Sequence, residues 1–257
     1  MPPGFRRHFV CWRPPDRERP AANEVEKTAK IDYNERNNVR TGLIEAPHGE
    51  VTFMKVLMLN GSPKPNGNTG LALKEMEKIF AAEGIEVETI VVGNKDIRGC
   101  VSCGSCGRLG RCVFDDMVNE IAPKLAECDG LVIASPVYYA SANATLIACL
   151  DRLFYSNRAD LSMKVGASVV VARRGGCSAT YDELNKYFTI SGMPVASSQY
   201  WNSVHGGVPG EASQDAEGMQ TMRVLARNMA FLMKSIALGK QEYGLPEKEQ
   251  HLWTNFV

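Results

Sequence analysis

From Met54 onward, short apolar runs alternate with amphipathic stretches, and this alternation limits the chain to a small set of architectures. Lys55–Asn60 is an apolar run closed by Gly61, the pattern of a buried strand. Thr69–Glu83 carries Ala72, Met76, Ile79 and Phe80 at helical spacing, with Gly84 placed to end it. Further strands are expected over Val87–Val92, Gly130–Ser135, Val165–Ala172 and Pro194–Tyr200. One helix is expected to start at Asp115 or Asp116, with Met117, Ile121 and Leu125 on one face. Pro123 inside it predicts a kink or a late start. Other helices are expected over Ala142–Tyr155, from a Thr180/Glu183 capping box through Tyr187 and Phe188, and over Asp215–Leu238. Five apolar strands alternating with helices imply a five-stranded parallel sheet covered on both faces. In such a sheet ligands sit beyond the carboxyl ends of the strands.

Residues 1–53 read differently. Met1–Pro20 holds five Pro and five Arg with no hydrophobic period, and Asn23–Glu50 is polar with isolated Val, Ile and Leu. Too little apolar surface is present to offset chain entropy, so a disordered extension is expected, with the folded domain over 54–257. The arginines suggest a transit peptide as the alternative, but Asp16, Glu18 and the prolines spoil an acid-poor amphipathic helix. A translation start at Met54 is a further alternative. Lys+Arg and Asp+Glu both number 29, which argues against a general nucleic-acid binder. No apolar run reaches the roughly 18 residues of a membrane span. No signal-peptide pattern is read at the start, so the expectation is a cytoplasmic protein in a reducing compartment.

Three loops at the carboxyl edge carry candidate chemistry. Asn60–Thr69 reads NGSPKPNGNT and ends at a helix N-terminus, where free backbone N–H groups suit a phosphate. Ser62, Asn68 and Thr69 can add side-chain donors and Lys64 a charge. The loop is neither G-x-x-x-x-G-K-[ST] nor G-x-G-x-x-G, so neither a nucleoside-triphosphate loop nor a dinucleotide fingerprint is present. The second loop runs Pro136-Val137-Tyr138-Tyr139, and its tyrosines can wall an aromatic ligand, with at most one facing it. In the third loop, Arg173-Arg174-Gly175-Gly176, paired glycines let the backbone approach a planar ring, and either arginine can hold an anionic group.

The eight cysteines are unevenly spread. Cys100, Cys103, Cys106 and Cys112 fall within thirteen residues, with Gly104, Gly107 and Gly110 permitting tight turns. Four thiolates at these spacings can wrap one [4Fe–4S] cluster. A structural zinc site usually separates its cysteine pairs by a longer insert, so zinc ranks below the cluster, and metal-free thiols remain an alternative. The loop leaves the same sheet edge as the phosphate loop. Cys128, Cys149 and Cys177 read as small buried hydrophobes. Asp151 and Arg152 read as a structural ion pair. Trp201 and His205 are candidates for a pocket wall and a proton donor.

Taken together, GSPKPNGNT, SPVYYASANATLIACLDR and ARRGG resemble the flavodoxin-like NAD(P)H-dependent FMN reductase family over essentially all of 54–257. The cysteine spacing, QYWNSVHG over 199–206 and DAEG over 215–218 are similar to its iron–sulfur flavoprotein branch. The resemblance implies a flavodoxin-like three-layer sandwich. It implies FMN, with the phosphate on Ser62, Lys64, Asn68 and Thr69 and the ring against Pro136, Val137, Tyr138, Tyr139, Arg174, Gly175 and Gly176. Four cysteines would hold a [4Fe–4S] cluster, and the protein would be a homodimer or homotetramer. The expected function is an oxidoreductase passing electrons from NAD(P)H or a ferredoxin-like donor through FMN to a small acceptor such as a quinone or flavin. A non-catalytic electron carrier between protein partners is the first alternative, and a zinc- or thiol-bearing interaction module without flavin the second.

Overall fold

Residues 43–45 and 51–254 are described by the structure, a computed structural model. The expected extension over 1–53 lies mostly outside the described residues, as does Cys11. Within it, strands β1 (Leu43–Glu45) and β2 (Val51–Phe53) pair antiparallel.

The sheet is built from β3 (Lys55–Asn60), β4 (Glu86–Val91), β5 (Gly130–Pro136), β6 (Val165–Ala172) and β7 (Ser203–His205). Its order is β4-β3-β5-β6-β7 and every neighbouring pair is parallel. The connecting helices are α1 (Asn68–Ala82), α2 (Cys106–Leu109), α3 (Met117–Glu127), α4 (Ala144–Ser156), α5 (Cys177–Ile190) and α6 (Ala216–Tyr243). Strand side chains alternate between faces. Val56, Met58, Val132 and Val169 pack on one side against Phe80 of α1 and Met222 of α6. Leu57, Leu59, Leu131 and Ile133 pack on the other against α3, α4 and α5. The result is the expected three-layer flavodoxin-like sandwich. Among the described residues no helix is long and apolar enough to cross a membrane.

Four expectations need correction. Val195 makes only a single bridge to Gly166 in the stretch 194–200, and the fifth strand forms later, over Ser203–His205. The intervening chain turns on itself, with the Ser198 hydroxyl bonding both the Tyr200 carbonyl at 2.6 Å and Asn202 at 2.7 Å. The helix α5 starts three residues before the proposed Thr180 cap, behind Gly176. Glu183 is therefore free of the capping box, and its carboxylate reaches the loop after β5 instead. The helix α3 starts at Met117 and runs through Pro123, which removes one backbone donor without delaying the start. Its cap is Asp116, whose Oδ1 accepts from the Val118 N–H at 3.1 Å. Finally, α6 runs to Tyr243, past the expected Leu238.

Candidate functional site

The carboxyl ends of β3, β5 and β6 bring the three predicted loops together. After β3, Asn60 is buried, and its Oδ1 accepts from the Ser62 N–H at 2.9 Å. The Ser62 hydroxyl accepts from the Lys64 N–H at 3.1 Å, and the Gly67 N–H donates to the Lys64 carbonyl at 2.9 Å. These bonds shape the turn that presents α1 end-on. Gly67 caps this helix without any side-chain hydrogen bond. The N–H groups of the first turn and the positive end of the helix dipole are thus left for an anion. Gly70 is required here, because a Cβ would lie 2.0 Å from the Pro65 carbonyl oxygen. Thr69 is buried beside it, and the Lys64 side chain is exposed.

Asn68 is placed differently from a simple phosphate donor. Its Oδ1 accepts from the Gly210 N–H at 3.0 Å and the Ala212 N–H at 3.2 Å, and its Nδ2 donates to the Val208 carbonyl at 2.9 Å. It ties the 207–212 segment to the phosphate loop, with one amide N–H left for a ligand. Glu211 stiffens the same segment. Its carboxylate accepts from the Val208 and Gly207 N–H groups, which hold it below the usual carboxylate range.

After β5 the chain makes a two-residue turn. Tyr138 and Ser141 exchange backbone hydrogen bonds of 2.9 and 3.0 Å. Tyr139 and Ala140 between them have φ of 51° and 60°, an unusual conformation for side-chain-bearing residues that concentrates at functional sites. Tyr138 is half-exposed and Tyr139 fully exposed. Glu183 holds this turn, accepting from the Ser141 hydroxyl at 2.8 Å and the Ala142 N–H at 2.8 Å. Sequence reasoning missed that role because the contact spans 42 residues. Gly176 packs under the turn, where its φ of +93° and the nearby Ala140 Cα and Val137 leave no room for a Cβ. Gly175 faces open space, and Arg173 and Arg174 are exposed. Pro136, Val137, Tyr138, Tyr139, Gly175 and Gly176 thus converge on one rim beside the helix α1 N-terminus.

The cysteine loop begins at this edge. Gly93 packs so closely on Gly61 that a Cβ would lie 2.0 Å from its carbonyl oxygen. The thiols themselves lie elsewhere. Cys100, Cys103, Cys106 and Cys112 line one pocket with Val101, Phe114, Arg152 and Tyr155. Cys100 and Cys103 are exposed, and Cys106 and Cys112 are buried. The Ser105 hydroxyl and N–H lower the Cys103 thiol from its ordinary value. The pocket adjoins the C-terminal half of α4, whereas the tyrosine loop adjoins its N-cap, Asn143. Arg152 is about two and a half turns from that cap, or ~13 Å along the axis. The two candidate redox sites therefore do not share one edge within a chain, because the cysteine loop folds back along α4.

Arg152 is the residue whose partner the sequence reading misplaced. It is 1% exposed and pairs with Asp116, not Asp151. Asp151 instead accepts from the Tyr187 hydroxyl at 2.6 Å. The signal was present: Cys149, Arg152, Leu153 and Ser156 all lie on the buried stripe of α4, where an unpaired arginine is not tolerated. Cys128 and Cys149 are core residues, their thiols pushed up to about 11 and about 12 by burial. Cys177 is half-buried against the same core. Trp201 and His205 line a shallow groove on the β7 edge with Asp215 and Thr221, outside the rim formed by the tyrosine and glycine loops.

The sequence model described as NADPH-dependent FMN reductase matches residues 54–207. The chain belongs to the NADPH-dependent FMN reductase family. An iron–sulfur flavoprotein of Methanocaldococcus jannaschii is 35% identical over 191 residues, covering 71% of this chain and 99% of that one. An iron–sulfur flavoprotein of Methanosarcina thermophila is 31% identical over 188 residues, covering 71% and 97%. Within the NADPH-dependent FMN reductase family the chain thus falls in the iron–sulfur flavoprotein branch. Among solved structures, RosB with a bound 8-demethyl-8-formylriboflavin-5'-phosphate intermediate aligns with a TM-score of 0.59 at 16% identity, over 79% of this chain and 92% of that one. The NAD(P)H:quinone oxidoreductase of Methanothermobacter marburgensis aligns with a TM-score of 0.55 at 17% identity, over 69% and 96%. Both show the shared fold. As a member of the FMN reductase family, the protein is an FMN-dependent oxidoreductase.

Proposed function

We propose that this protein takes electrons from NAD(P)H or a ferredoxin-like donor and passes them, by way of FMN and a [4Fe–4S] cluster, to a small acceptor such as a quinone or flavin. The observation that carries this reading is the presence of two built sites in one chain. One is an uncapped helix N-terminus beside an aromatic rim, and the other is a pocket lined by all four loop thiols. Both suit the groups assigned to them. The first turn of α1 offers backbone donors to a phosphate, with Ser62, Thr69 and Lys64 beside it. The rim from Pro136 to Tyr139 and the open face at Gly175 suit a flat ring, with Arg174 nearby for its polar edge. All four thiols border one pocket, and their spacing of two, two and five residues supports reading it as the place of a single cluster.

When bound, FMN exchanges a hydride for single electrons and a cluster relays those electrons one at a time, while the protein supplies placement. The phosphate loop anchors, the Glu183-braced turn fixes the ring wall, and Cys100, Cys103, Cys106 and Cys112 supply thiolates. The separation of the two sites along α4 favours a homodimer or homotetramer in which the cysteine pocket of one protomer approaches the flavin rim of another. Anaerobic purification followed by a visible spectrum and iron, sulfide and FMN analysis tests the reading. One FMN and four iron per chain is the expected result, with bleaching by NADPH or reduced ferredoxin naming the donor. A colourless protein that takes up no FMN would overturn it.

A further inference from the structure

The side chain beneath the thiol pocket is a buried cation with every donor used. Arg152 donates through Nε to the Cys112 sulfur at 3.3 Å. Its Nη1 donates to the Arg98 carbonyl at 3.2 Å and to Asp116 Oδ2 at 2.7 Å. Its Nη2 donates to Asp116 Oδ1 at 2.9 Å and to the Phe114 carbonyl at 3.4 Å. A guanidinium has five N–H donors, and all five are placed. The Arg98 contact lies before the first cysteine of the loop, and the other contacts lie at or after the last. One rigid fork thus pins both ends of the loop to α4. The Phe114 ring contacts two cations, with the Arg98 guanidinium carbon 4.5 Å and the Arg152 guanidinium carbon 5.1 Å from its centroid.

This arrangement bears on a thiolate ligand in two ways. An N–H aimed at a ligand sulfur favours the state carrying more negative charge on that sulfur. A buried cation acts in the same direction, and more strongly than an exposed one. Adding an electron to a cluster increases its negative charge. The carboxylate of Asp116 opposes the cation, so the pair sets a balance that either partner's removal would tip.

We propose that Arg152 positions Cys112 as a cluster ligand and, balanced against Asp116, sets the reduction potential of that cluster. The inference rests on the cluster reading above and extends it to a residue outside the cysteine motif. Arg152 is here a positioning residue.

The test is a reductive titration of the anaerobic holoprotein, monitored by electron paramagnetic resonance, in wild type, Arg152→Met and Asp116→Asn. Arg152→Met removes the donor and the positive charge, and the potential should fall. Asp116→Asn keeps an N-cap for α3 but leaves the cation unopposed, and the potential should rise. Each shift is expected to be roughly tenfold in the one-electron equilibrium, about 59 mV. Opposite signs distinguish an electrostatic role from a structural one, because both variants break the same ion pair. Shifts of one sign, or no shift, would overturn the inference. A second measurement needs no cluster. In iron-free, reduced protein at pH 10, where loss of the cation no longer limits the thiolate fraction, iodoacetamide should alkylate Cys112 roughly tenfold faster in Arg152→Met than in wild type, reflecting the lost anchoring bonds. Cys128 should stay unreactive in both, reporting an intact core. Unchanged Cys112 labelling would overturn the positioning role. Should Arg152→Met fail to accumulate, Arg152→Lys carries both measurements, with a smaller fall in potential and faster Cys112 labelling. Wild-type protein that binds no iron after anaerobic reconstitution would overturn the cluster reading and the potential-setting role together. A loaded wild type with unmoved variants overturns the inference alone.

Discussion

Between β3 and α1 the chain turns on contacts among its own neighbouring residues, while between β4 and α3 it depends on a side chain from a distant helix. The first loop is locked by short-range contacts: Asn60 to Ser62, Ser62 to Lys64, Lys64 to Gly67, and Gly70 against the Pro65 carbonyl. The second carries positive φ at Ser102, Gly104 and Gly110, and most of its residues are exposed. Its ends are held by the Arg152 fork, and Asn119 adds bonds to the Cys112 backbone of 3.1 Å in each direction. The difference teaches that the two sites respond to different kinds of damage. A local phosphate cradle is sensitive to sterics, and a remotely anchored thiol pocket to the loss of ligands or anchors.

The strongest way to break this comparison is to remove a ligand. Cys106→Ala should reduce bound iron to near zero while FMN content stays at one per chain, as read by metal analysis and flavin absorbance. Loss of both groups together would mean that the two sites are not independent. Next in size is Gly70→Ala, which forces a methyl group onto the Pro65 carbonyl. Overpacking of this kind costs about 1–3 kcal/mol, roughly a 5- to 150-fold loss of FMN affinity if the strain falls on the cradle. Iron content should be unaffected, and unchanged FMN affinity by fluorescence titration would show that the loop gives way elsewhere. A smaller effect is expected from Glu183→Ala. It removes the acceptor for Ser141 and Ala142, and should weaken FMN binding by roughly tenfold, in line with one charge-assisted hydrogen bond of about 1.5 kcal/mol. Retained affinity would show that the Tyr138–Ser141 turn stands without its brace.

The mildest test separates cysteines by environment. In iron-free protein at pH 8, iodoacetamide followed by mass spectrometry should label Cys103 first. Its thiol is lowered by Ser105, so more of it is thiolate at that pH. Cys128 and Cys149, raised to about 11 and about 12, should remain unlabelled until the protein unfolds. Labelling of Cys149 at a rate like that of Cys103 would contradict the core packing.

Much of this molecule was legible in its sequence because the relevant physics is local. The β6 run was read to its observed bounds, since Val165–Ala172 is apolar on both faces and ends at paired arginines. The phosphate loop was readable because a strand, a Gly-rich turn and a helix start are contiguous. The grouping of the four loop cysteines around one pocket was readable because their spacing is a matter of chain length. The fifth strand was misplaced because Pro194–Tyr200 opens on an apolar Val195–Ala196 pair but bends away after a single bridge.

What the sequence by itself determined is the layered parallel sheet, the sheet edge at which the three loops meet, and which four thiols line one pocket. Only the tertiary structure decided that Asn68 binds the 208–212 segment, that Glu183 braces the tyrosine turn, and that Arg152 leaves Asp151 for Asp116 and Cys112. It also decided that the thiols lie along α4, away from the flavin edge. The physical reason is common to all four. Each depends on a polar side chain satisfying partners tens of residues away. Burial forces such a group to find a partner, but the packing of helices decides which partner is within reach.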